Sequence, residues 1–255
     1  MSYFLLLVLV LFLHINFWFI ISLIKKRNDI ADTAWGLGFV LLAWVSFFKA
    51  GYKNPIGFLI SSLVTIWGLR LSWHIYNRNK QKTEDSRYLG WRKAWGDWFY
   101  LRSYAQIYLL QGCFLYCIAL SVLVINNSPK LSMDILTLCG LGIWALGFLC
   151  EAISDWQLAQ FINDPNNKGR LMTSGLWAYS RHPNYFGEVT QWWGIWVVTL
   201  QTPHAWLAII SPLTITFLIL KISGIPLLEK SMEGHPDFPA YKKRVSMFIP
   251  LPPKN

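Results

Sequence analysis

Charge is what this sequence has least of. Asp, Glu, Lys and Arg make up 14% of its 255 residues, where a soluble globular domain carries about 25%. Its apolar runs also lack the polar face that a soluble helix needs, which excludes a soluble helical bundle. Cysteine is scarce too. Cys113, Cys117, Cys139 and Cys150 each sit inside an apolar run, without zinc-finger spacing, so buried apolar thiols are expected. His14, His74, His182, His204 and His235 are scattered, and no metal-ligand set stands out. There is no Gly-x-Gly-x-x-Gly after a strand, no Walker A pattern and no His-Glu-x-x-His. A nucleotide, if one binds, binds without a Rossmann domain.

What is present is hydrophobic: 54% of the residues, with 15 tryptophans. Apolar runs of about 18 or more residues recur, each able to cross a hydrocarbon core roughly 30 Å thick. The fold class expected is all-α, a polytopic membrane protein with about seven transmembrane helices in a single membrane domain, 1–255. The spans fall at 3–24, 34–50, 55–77, 104–125, 132–153, 185–201 and 204–226. The run from Tyr3 to Ile24 is too long for a signal-peptide core and ends in Lys25-Lys26-Arg27 rather than a small-residue cleavage site. It is expected to remain as the first span. The third carries Arg70 and His74 near its end, which must face protein or water.

Basic residues orient the chain. With Lys25-Lys26-Arg27 cytoplasmic, alternation puts 78–103, 154–184 and 227–255 on the same side, and the opposite loops hold only Lys49, Lys53 and Lys130. The positive-inside rule then gives an N-out, C-in topology. The net charge of +10 is orientation signal plus attraction to anionic membrane lipids, and no nucleic-acid partner is expected. Residues 90–103 are spaced as an interfacial helix with Trp91, Trp95, Trp98 and Phe99 on one face. Residues 163–174 form a turn-rich loop, and the proline-rich 234–253 segment is expected to pack as extended chain over the cytoplasmic side.

The most polar stretch lies where a span begins. "SGLWAYSRHPNYFGEVTQWWGIW" (174–196) brings Trp177, Arg181, His182, Asn184, Tyr185 and Glu188 together. Pro183 favours an extended His182 and a helix from about Asn184. Asn184 and Glu188 then share one face at its N-terminal end. The preceding span runs on past the bilayer edge with Glu151 and Asp155 one turn apart, and Arg170 follows in the loop. Carboxylates at that depth need partners, and Arg170, Arg181 and His182 are the ones to hand. A cytoplasm-facing polar pocket follows, with a helix N-terminus and guanidinium groups suited to phosphate. The same face suits a cationic or ribose-bearing ligand through Glu188.

With "DTAWGLGFV" (32–40), "WGLRLSWHIYNRN" (67–79), "EDSRY" (84–88), "SDWQLAQF" (154–161) and "YKKRVSMFIPLPP" (241–253), that stretch resembles the DUF1295 branch of membrane proteins related to the steroid 5-alpha-reductase C-terminal domain. The resemblance implies a seven-helix reductase that binds NADPH from the cytoplasmic side. Hydride would pass to a carbon–carbon double bond, usually conjugated to a carbonyl, in a steroid-like or other lipid substrate. That substrate would sit among the N-terminal helices, 1–125, and the cofactor in 132–255. It implies cofactor contacts at Asp155, Arg170, Trp177, His182, Asn184, Tyr185 and Glu188, beside Glu151 and Arg181 from the residues themselves. The steroid enzymes polarise the substrate ketone with a Glu–Tyr pair; Asp32 and Tyr76 stand near those levels here. Where those enzymes have an Arg and a His after the last helix, this chain has Glu229 and Lys230.

"RHPNYFGE" with Glu229, Tyr241 and "FIPLPP" also resembles the isoprenylcysteine carboxyl methyltransferases, whose cofactor is S-adenosylmethionine. A sulfonium calls for carboxylates and aromatic rings more than for guanidinium groups. Compact loops without appended domains favour a bacterial inner membrane over the endoplasmic reticulum.

Overall fold

A computed structural model describes residues 2–51, 54–80, 82–129 and 131–254. Lys53 and Lys130, two of the three cations expected on the far side, lie outside the described residues. The chain is an all-α polytopic membrane protein. Six helices are long and apolar enough to cross a membrane: Tyr3–Lys25, Ile30–Lys49, Pro55–Asn79, Arg87–Asn127, Ile135–Asn163 and Ala205–Met232. The remaining expected span, 185–201, is a helix of 17 residues, Pro183–Thr199.

Two compact units make up the chain, residues 1–133 with 201–210, and residues 134–200 with 211–255. In the first, α1 (Tyr3–Lys25), α2 (Ile30–Lys49) and α3 (Pro55–Asn79) are followed by α4 (Ser86–Trp95), α5 (Phe99–Ser103) and α6 (Leu110–Asn127). Caps set several starts: the Asn54 side chain accepts from Ile56 N–H, with Pro55 next, and Asp85 caps α4 through Arg87 N–H. A π-helical segment, Tyr104–Leu109, joins α5 to α6. Phe39, Leu42, Ile60, Trp67, Leu123 and Ile125 fill the core. Asn126 crosses that core, its amide donating to Ala43 O at 2.9 Å and Ser46 Oγ at 2.7 Å. Helix α2 begins four residues earlier than its hydropathy suggested, so Asp32 lies in its first turn.

The second unit is built on α7 (Ile135–Asn163) and α8 (Pro183–Thr199), then α10 (Ile210–Phe217), α11 (Ile225–Met232) and α12 (Phe238–Arg244); the short α9 (Ala205–Ala208) belongs to the first unit. Asp134 caps α7 by accepting from Thr137 N–H at 3.0 Å. The expectation of extended chain over 234–253 fails at Phe238–Arg244, which is helical; only beyond α12 is the tail extended, where Ser246 bridges Ser180 in parallel and Leu251 N–H donates to Tyr179 O at 3.0 Å. The cysteines differ from expectation. Cys113 and Cys139 are exposed, and Cys117 and Cys150 half-buried, because in a membrane helix an apolar side chain gains nothing by turning away from lipid.

Candidate functional site

Glycines bring α7 and α8 into backbone contact. A Cβ at Gly147 would lie 2.6 Å from Gly187 O, and one at Gly187 would lie 2.5 Å from Glu151 N. Gly140 and Gly194 repeat the arrangement two turns away, where a Cβ on Gly140 would meet Gly194 O at 2.6 Å. Such seams let membrane helices approach without side chains between them. Here the seam places the polar ends of the two helices side by side. Gln191 Nε2 donates to Glu151 Oε2 at 2.5 Å, and Asn184 Nδ2 donates to Asp155 Oδ1 at 3.1 Å. Asn184, Glu188 and Gln191 form one stripe on α8, and Glu188 is buried in it.

The amides leave the stripe half satisfied. Asn184 Oδ1 and Gln191 Oε1 are buried and accept no hydrogen bond among the described residues, and His182 Nδ1 is equally alone. A buried polar atom without a partner costs about 1–3 kcal/mol. Three such atoms within ten residues leave polar capacity that the protein itself does not fill.

The cations behave otherwise. Arg181 is buried, and its guanidinium holds Glu229 of α11 through Nε at 2.8 Å while Nη1 donates to Val245 O at 2.6 Å and Lys242 O at 3.2 Å. Lys242 Nζ closes on the other Glu229 oxygen at 3.4 Å. The pairing expected between Arg181 or His182 and the α7 carboxylates is thus replaced by one with Glu229, because amides from α8 already meet Glu151 and Asp155. His182 Nε2 lies 3.4 Å from Glu229 Oε1, and its ring stacks on Tyr185 with centroids 5.9 Å apart. Burial pushes the imidazole down to about 4, against the pull of Glu229, so His182 is neutral at physiological pH. Trp177 is buried, its indole donating to Ser154 O at 3.1 Å and its carbonyl accepting from Tyr241 Oη at 2.6 Å. Arg170 is exposed on the loop and forms no ion pair among the described residues.

The first unit holds the expected Asp32 and Tyr76, and it does not pair them. Asp32 accepts from Tyr88 Oη at 2.7 Å and from Arg87 Nη2 at 2.8 Å. Tyr88 is buried, whereas Tyr76 is 52% exposed beside Trp73. The tyrosine with an acidic neighbour is Tyr88. Its signal was the "EDSRY" segment, whose Glu84 and Arg87 join the same elbow. Arg27 donates to both oxygens of Asp29, at 3.0 and 2.7 Å, and Glu84 accepts from Asn28 N–H at 2.6 Å and from Arg92 at 3.1 Å. The Glu229 partner of Arg181 was also missed, because it lies 48 residues along the chain.

Comparison with known proteins places these features in a family. Residues 18–245 match the family described as "Protein of unknown function (DUF1295)". An uncharacterized protein of Schizosaccharomyces pombe (strain 972 / ATCC 24843) is 23% identical over 265 residues, covering 90% of this chain and 72% of that protein. No solved structure matches.

Proposed function

We propose that this chain, which belongs to the DUF1295 family, is a membrane oxidoreductase transferring hydride from NADPH to a carbon–carbon double bond of a lipid, an enone in a steroid-like or other apolar substrate. One observation carries this: the buried α7–α8 stripe pairs carboxylates with amides and leaves Asn184 Oδ1 and Gln191 Oε1 without donors. Ribose hydroxyls and the carboxamide of a nicotinamide are donors of the kind those atoms lack. Glu188 and Asp155 accept further hydroxyl hydrogens, and the neutral His182–Tyr185 stack offers a flat apolar wall. Diphosphate and the 2′-phosphate suit exposed Arg170 and Lys168, since Arg181 is committed to Glu229. The bound dinucleotide would supply the hydride; the protein holds it, orients it and keeps water away.

The topology that serves this reading has seven spans, N-out and C-in. Helix α8, with 17 residues, rises about 26 Å, close to the thickness of a hydrocarbon core. The cofactor would then arrive from the cytoplasmic side of a bacterial inner membrane. A second reading, an S-adenosylmethionine-dependent methyltransferase of the isoprenylcysteine type, is favoured by the engagement of Arg181, which removes a phosphate ligand from an acid-rich stripe.

Thermal unfolding of detergent-purified protein titrated with NADPH, NADH and S-adenosylmethionine separates the readings. A ligand at 100 times its Kd stabilises the fold by about 2.7 kcal/mol. A shift with NADPH alone supports the reductase, and a shift with the methyl donor alone transfers the stripe to the second reading. No shift with any of the three removes both.

A further inference from the structure

The tail beyond α12 carries an exposed apolar edge. From Ser246 to Leu251 its side chains alternate: Ser246, Phe248 and Pro250 are half-buried, and Met247, Ile249 and Leu251 are exposed. Extended backbone turns successive side chains to opposite sides, so the three aliphatic groups share one edge. The backbone is held in that setting. Arg181 N–H donates to Ser246 O at 2.8 Å, Ser180 Oγ donates to Phe248 O at 2.8 Å, and Leu251 N–H donates to Tyr179 O at 3.0 Å. On the inner side the Phe248 ring packs on Phe186 of α8, with centroids 5.5 Å apart.

The edge stands where a bilayer would end. The stretch of α7 from Ile135 to Ser154 rises about 30 Å, the thickness of a hydrocarbon core. Trp177 meets the far limit of that stretch, its indole donating to Ser154 O at 3.1 Å. Residues 179–181 follow Trp177, and the tail is bonded to them. Tyr179 and Trp156, aromatic residues of the kind that mark a membrane boundary, are exposed near this level. Cations frame the edge. Lys243 and Arg244 end α12, and Lys254 N–H donates to Arg244 O at 2.9 Å, so three exposed basic residues gather at one end of the tail. Pro250, Pro252 and Pro253 have no N–H to leave unpaired in lipid. Three aliphatic side chains are few beside the roughly 20–30 residues a side of a stable protein interface.

We propose that residues 246–251 are seated in the adjoining leaflet of an anionic bilayer. Met247, Ile249 and Leu251 lie among the outer acyl carbons, and Lys243, Arg244 and Lys254 lie on lipid phosphates. The seating requires only that α7 cross the membrane, and it holds whether or not the chain is a reductase.

The full chain, with its four cysteines replaced by alanine, is placed in nanodiscs of phosphatidylcholine and phosphatidylglycerol. Met247→Cys, Ile249→Cys, Leu251→Cys and, as a wet reference, Lys243→Cys are spin-labelled one at a time. Power saturation then compares collisions with oxygen, which concentrates in lipid, and with a neutral water-soluble nickel chelate. Relative to the label at 243, those at 247, 249 and 251 should favour oxygen over nickel several-fold. Changing Lys243, Arg244 and Lys254 to Gln should lower that preference at 249 by about 2-fold or more. Three results overturn the proposal: nickel access at 247, 249 and 251 equal to that at 243, shielding from both reagents, as under a protein partner or a second copy, or indifference to the Gln changes. Should the cysteine-free chain not fold, the parent is irradiated with a phospholipid bearing a diazirine on its acyl chain. The tryptic peptide 245–254 should then carry the label, and an unlabelled peptide overturns the proposal.

Discussion

Two of the buried polar clusters among the described residues are satisfied in opposite ways. In the elbow between α1 and α2 the carboxylates meet guanidinium groups: Asp29 with Arg27, Glu84 with Arg92, Asp32 with Arg87. Between α7 and α8 they meet amides, Glu151 with Gln191 and Asp155 with Asn184, and acceptor atoms are left over. A guanidinium–carboxylate network is complete in itself and can fix two linkers together. An amide–carboxylate ladder with idle oxygens keeps acceptor capacity that water or a ligand can fill. On the reading proposed above, the difference separates scaffold from site within one hydrophobic chain. Arg181 with Glu229 follows the first pattern although it adjoins the second cluster, tying the α8 approach to α11 and the tail.

The contrast can be broken at several points. The largest effect is expected from Glu229→Ala, which strands the buried Arg181 guanidinium; removing one member of a buried pair costs about 3–5 kcal/mol, read as lost thermal stability. Acid should come next. His182 is lowered from 6.5 to about 4, so its neutral form contributes stability above pH 6.5. That contribution is lost as pH falls from about 6.5 to 4, because the unfolded chain takes up the proton first. The loss is about 3 kcal/mol, and His182→Gln should flatten that segment of the stability–pH curve. Glu84→Gln, in the saturated elbow, should cost about 1–3 kcal/mol and leave any cofactor response intact. Asn184→Ala should alter stability least, by about 1 kcal/mol, yet abolish the response to NADPH.

Much of the fold was legible in the sequence. Long apolar runs located α1, α3 and α8 to within two residues at each end, since lipid demands continuous hydrophobicity and leaves few alternatives; α7 runs ten residues past the end of its apolar run. The start of α2 was not legible. Asp29 and Asp32 precede the apolar run of 34–50, and their partners, Arg27 and Arg87, are invisible to a hydropathy window. Within the site, Asn184 and Glu188 could be placed on one face from Pro183 and helical spacing alone. Gln191, one further turn along that face, was readable by the same spacing and was overlooked among tryptophans. Partner choice was the hardest part. Arg181 was assigned to carboxylates near in sequence, but Glu229 reaches it through tertiary packing, and Tyr88 takes the place expected for Tyr76 because α4 folds back on the first turn of α2.

The most direct measurement is a paired titration, parent against Asn184→Ala, each followed by thermal unfolding as NADPH is added. If the unfilled acceptors of the α7–α8 stripe hold a dinucleotide, the parent should gain about 2.7 kcal/mol at 100 times its Kd and the variant nothing. A variant that folds like the parent and responds to NADPH equally would contradict it.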